Sequence, residues 1–181
     1  MRDLTTLPHQ LDTRRRTCRA IIETPKSSRN KFAYDRETGL FKLRHVLPEG
    51  MVFPFDFGFI PSTRGEDGDP VDMLVFMDAP THAGCLVEVR IVGVIAAEQS
   101  EGGRKVQNDR LLGVAIHSYQ HEAIRSVADV GRTVLSQIED FFISYNRQRG
   151  KTFKVKSTSG PRRALQLLQA GTRAYEQDPS A

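Results

Sequence analysis

The sequence predicts a single α+β domain in which short strands close into an antiparallel β-barrel and helices pack on it towards the C-terminus. Three observations carry this. The chain has 181 residues with 39% hydrophobic content, enough for one core of ordinary size but short for two. Runs rich in β-branched and aromatic residues alternate with turn signals through the first half. After Gly113 the apolar spacing changes to the three-and-four period of a helix face.

The elements follow in order. Residues 1–17 are polar, contain Arg14, Arg15 and Arg16 and show no apolar period, so we expect a loosely held arm or one packed on another subunit. The ordered domain is expected over residues 18–176. Strands are expected at Ala20 to Glu23, Lys31 to Asp35, Phe41 to Leu43, Val71 to Met77 and Leu86 to Ile95. Val134, Leu135, Ile138, Phe141, Phe142 and Tyr145 then share one helix face. Gly160-Pro161 opens a second helix carrying Ala164, Leu165, Leu168 and Tyr175, proline being tolerated in a first turn. Ser157-Thr158-Ser159 is expected as a short connector, and residues 177–181 as a frayed tail.

Charge and cysteine usage bound the function. The 26 Lys and Arg against 22 Asp and Glu give a net charge of +4, which permits a polyphosphate or nucleic-acid partner without demanding one. Residues 147–156 hold five basic residues, but aromatics do not interleave with them as stacking platforms, so nucleic acid is not the expected partner. Cys18 and Cys85 match neither a disulfide framework nor a paired metal-binding spacing, which suits a reducing cytoplasm. No stretch has the length of a signal peptide core or a membrane span. His117 and His121 stand at i, i+4 on a possible helix face, without an accompanying acidic base.

The chemistry concentrates in Asp67-Gly68-Asp69-Pro70-Val71-Asp72. Three aspartates in one short bend repel each other until a cation neutralises them, and hard cations such as Mg²⁺ prefer such oxygen ligands. Asp, Gly and Pro are also ordinary turn residues, and the bare composition leaves both readings open. Context narrows the choice, because the bend lies between Phe57-Gly58-Phe59-Ile60-Pro61 and the apolar run Met73-Leu74-Val75-Phe76.

This loop resembles the Asp-x-Asp-Pro-x-Asp-x signature of the family I soluble inorganic pyrophosphatases, and the resemblance extends from about Ile21 to about Lys151. It implies an oligonucleotide-binding-like (OB-like) barrel, Mg²⁺-dependent hydrolysis of pyrophosphate to two phosphates, and a homo-oligomer. Two metals would bridge and activate a water. Asp67 and Asp72 would be metal ligands, Asp69 would orient or deprotonate the water, and Glu23 would hold metal-bound waters. Lys31, Arg44, Tyr145 and Arg110 would contact phosphate.

Departures from the pattern accompany the match. Ala33 stands where the family has a glutamate, Phe53 and Phe57 where it has tyrosines, and Asn146 where it has a lysine. The second acidic pair falls on Gln99 and Asn108, with Arg110 in place of a lysine. The segment from Glu98 to Arg110 is longer than the family pattern, so Glu98, Glu101 or Asp109 could shift into the cluster as replacement ligands, Asn108 could ligate through its amide oxygen, or the segment could be a solvated, charged hairpin end. These losses leave open a relative that binds metal and a phosphate compound, or a protein partner, without efficient turnover.

Overall fold

The computed structural model describes residues 3–178, apart from the side chain of Glu101. The described strands are β1 (Thr17–Thr24), β2 (Asn30–Asp35), β3 (Leu40–Val46), β4 (Asp56–Phe59), β5 (Asp72–Phe76), β6 (Leu86–Glu101), β7 (Arg104–Gln107), β8 (Arg110–Ala115) and β9 (Thr152–Ser159). Two α-helices accompany them, α1 (Arg132–Arg147) and α2 (Pro161–Gln177).

Five strands close on themselves in the order β1-β4-β5-β8-β6, with β6 returning to β1. Four of the five seams are antiparallel, and β5 meets β8 in parallel. β2 and β3 form a separate hairpin. The sixteen-residue β6 belongs to two surfaces. Its first half completes the barrel, and past an irregularity at Ile91/Gly93 it pairs with β9 from Val94, through a second irregularity at Ala96/Ala97, and with β7 from Glu98. Such bulges bend a strand and sharpen its twist, which lets one strand serve both surfaces.

The uninterrupted apolar run of β5 is explained by burial on both faces. Met73 and Val75 join an apolar cluster with Ala164 and Leu168 of α2, while Leu74 and Phe76 join a second cluster with Ile138 and Phe142 of α1. The α1 face carries Ile138, Phe142 and Tyr145 into that core at the spacing read from sequence.

Several expectations change. Ser157-Thr158-Ser159 is not a connector but the end of β9, paired with Val94 to Ala96. Only Phe153 of β9 is buried, so its alternation carries little signal. His117 and His121 lie in turns after β8 and not on a helix, because Asp78 accepts the backbone N–H groups of Tyr119 and Gln120 and holds the segment as a loop. The lead-in is tied to its own body. Thr5 and His9 are buried, Ser62 N–H donates to Thr5 O, and Arg19 N–H donates to His9 O. α2 runs to Gln177; of the expected tail, residues 179–181 lie outside the description.

Candidate active site

The acidic loop links β4 to β5, and its shape comes from hydrogen bonds of its own side chains and backbone. Thr63 Oγ1 donates to Ile60 O and accepts from Val71 N–H, at 2.6 and 2.9 Å. Gly65 N–H donates to Asp69 O at 2.7 Å, and Asp69 N–H donates to Asp67 Oδ1 at 3.2 Å. Gly68 takes the sharp bend at φ +91°, which few residues with a Cβ adopt. Arg64 N–H donates to Gly171 O, pinning the loop on α2.

The three aspartates line a cleft of about 650 Å³. Asp67 and Asp69 stand at its exposed rim and Asp72 deeper, at the start of β5. Desolvation by the cleft walls, then the neighbouring Asp69, hold the Asp67 carboxyl above the usual carboxylate range. Burial pushes Asp72 up to about 7, against the pull of Arg110 and Lys31. Among the described residues no three His, Cys, Asp or Glu side chains converge on one point.

Cations face them. Arg110, at the head of β8 and 5% exposed, pairs with Asp72 at 2.6 Å. Its guanidinium lies 5.8, 5.3 and 5.6 Å from the ring centres of Phe57, Phe142 and Phe153. Lys31 of β2 is also buried and bonds Glu23 Oε2 at 2.8 Å, while Glu23 Oε1 accepts Tyr34 N–H. Both Glu23 oxygens are therefore engaged by protein donors. Arg44 is exposed on β3 along the cleft, and Tyr145 reaches it from α1, its ring stacked on Phe141.

The positions expected for a second acidic pair do meet. Asn108 Nδ2 donates to Gln99 Oε1 at 3.1 Å, and Arg110 Nη1 donates to Asn108 Oδ1. The long segment between them is a hairpin closed at Gly102-Gly103, with Glu98 drawn to Lys105 and Lys156. Asp109 does not line the cleft. Its carboxylate accepts Ala97 N–H and the Gln107 amide. The Glu101 side chain lies outside the described residues. Ala33, Phe53, Phe57 and Asn146 all line the cleft, and Asn146 is spent on backbone, donating to Phe142 O.

A match to the family of inorganic pyrophosphatases spans residues 20–176. This chain belongs to the inorganic pyrophosphatase family. Among its relatives, the inorganic pyrophosphatase of Thermus thermophilus is 37% identical over 159 residues, covering 86% of this chain and 89% of the relative. That of Geobacillus stearothermophilus is 32% identical, covering 87% and 93%. The crystal structure of the Thermus thermophilus pyrophosphatase superposes with a TM-score of 0.87 at 34% identity, covering 97% and 99% of the two chains.

Against this family background, sequence reading missed His45, Arg149 and Lys151, which also line the cleft. Arg149 and Lys151 lay within the basic run at residues 147–156, which the fold divides: Lys156 leaves for Glu98 while these two turn to the cleft. Burial, then Arg149 and Lys31, hold His45 below the usual imidazole range. Nothing in the sequence around His45 signals its place, which depends on the β2–β3 hairpin meeting α1.

Proposed function

We propose that the chain hydrolyses inorganic pyrophosphate to two phosphates. One observation carries the reading: the acidic loop and a set of cations open into the same cleft, on the fold of a family whose named relatives are inorganic pyrophosphatases. A substrate with two linked phosphates needs cations on its oxygens and a polarised water in line with phosphorus.

A hard divalent cation such as Mg²⁺ suits the acidic half of the cleft, where two desolvated carboxyls and Asp69 stand within six residues. Asp67 and Asp72 would hold it, and when bound it would polarise phosphoryl oxygen and make water more acidic. Asp69, at the exposed rim, would accept the proton of the attacking water. Lys31, Arg44, Arg110 and the Tyr145 hydroxyl would bind phosphate oxygens. Glu23 would act through Lys31, whose ammonium it holds in place. The free state of both cysteines suits a reducing cytoplasm. Exposed Leu40, Leu43 and Val46 on β3 suit self-association.

The test is phosphate release from pyrophosphate with Mg²⁺. Asp69→Asn is expected to lower turnover by about a hundredfold or more with metal affinity little changed. Binding of metal and substrate by the wild type without phosphate release would discard hydrolysis in favour of a binding relative.

A further inference from the structure

We infer that Arg110 is a built-in cation for the amide-lined half of the cleft, so that this half receives a phosphate oxyanion without a divalent ion of its own. The inference rests on the cleft being a pyrophosphate site. It begins from the oxygens available to a metal. Asp72 Oδ2 is paired with Arg110 at 2.6 Å, Asn108 Oδ1 accepts from the same guanidinium, and Gln99 Oε1 accepts from Asn108. Amide oxygens carry no net charge, and here they are already engaged. A second divalent ion would need anionic oxygen that this half does not offer among the described residues.

The guanidinium is also held where it is. Three aromatic rings pack within 6 Å of it, and it is 5% exposed, so it cannot swing out to make room. Its Nε is buried without a hydrogen-bond partner among the described residues, so the group keeps its charge in the cleft wall with few protein acceptors to neutralise it. The wider field points the same way. Seven Lys and Arg side chains line the cleft against four carboxylates. That excess attracts a polyanion and opposes the entry of more than one cation before the anion arrives.

The wild-type protein decides this by calorimetric titration. Mn²⁺ added without anion should bind to no more than about one ion per chain. Imidodiphosphate, which mimics pyrophosphate but resists hydrolysis, should bind in the presence of a chelator, more weakly as salt is raised. Folded Arg110→Gln should lose at least about tenfold of that chelator-resistant affinity, and Arg110→Lys less. Two or more Mn²⁺ per free chain, imidodiphosphate binding that disappears with the chelator, or unchanged affinity in folded Arg110→Gln would overturn the inference. If either variant fails to fold, the two wild-type titrations still decide. Turnover is read separately: metal-free analogue binding with no phosphate release would refute hydrolysis and leave this inference standing.

Discussion

Asp72 and Arg110 show how one residue's environment changes the meaning of a substitution. Asp72→Asn removes not only a candidate metal ligand but the carboxylate paired with a guanidinium that is almost wholly buried. Breaking such a pair strands the remaining charge, and we expect a loss of about 3 kcal/mol in a urea melt, together with weaker Mn²⁺ binding. A stability equal to wild type would mean that Arg110 finds another partner. The two cysteines differ in the same local way. Burial pushes the Cys18 thiol up to about 12, whereas Cys85 is half-buried beside the β6 entry. A thiol reagent at about pH 8 should label Cys85 in the native protein and Cys18 only after unfolding. Mass mapping of the labelled peptides reads this directly.

At the scale of elements, the β2–β3 hairpin carries Lys31, Arg44 and His45, so its stability bears on the cleft. Asp35 closes its turn, accepting from Thr38 N and Oγ1 and pairing with Lys42 at 2.6 Å. The Lys42 ammonium, then Thr38, hold the Asp35 carboxyl well below its usual range. A carboxyl depressed in the folded state contributes stability that is present above the unfolded value of about 3.9 and is lost as pH falls below it. Asp35→Asn should therefore lower Tm at neutral pH, and the gap from wild type should narrow progressively below about pH 4. A gap that stays constant across that range would assign the Asp35 effect to turn geometry instead of charge.

Barrel closure belongs to the whole molecule. β1 crosses β4 so closely that a Cβ at Gly58 would lie 1.9 Å from Ile21 O, and backbone cannot move aside as a side-chain tip can. Gly58→Ala should cost about 3 kcal/mol or more, or prevent folding. Urea denaturation measures it, and a variant as stable as wild type would show that the seam between β1 and β4 yields. The same closure brings the acidic loop, the head of β8 and α1 to one opening, so this single exchange should also weaken analogue binding at a distance.

The acidic loop was legible in the sequence because its chemistry is local: three carboxylates within six residues sit in one bend whatever the rest of the chain does. Both helices were legible too, since an apolar face at three-and-four spacing and a Gly-Pro start are short-range signals. The strands β4 and β8 were not, because partners far along the chain supply their burial, and β7 and β9 were not, because they bury too little to show a period. β9 is mostly exposed and is a strand chiefly through its ladder with β6. Tertiary structure alone decided that Arg110 meets Asp72 across 38 positions, that Asp109 turns away from the cleft while Asn108 turns into it, and that Lys31 is bound to Glu23. Those choices depend on register between strands, where one step moves a side chain to the opposite face, and no local pattern encodes that step.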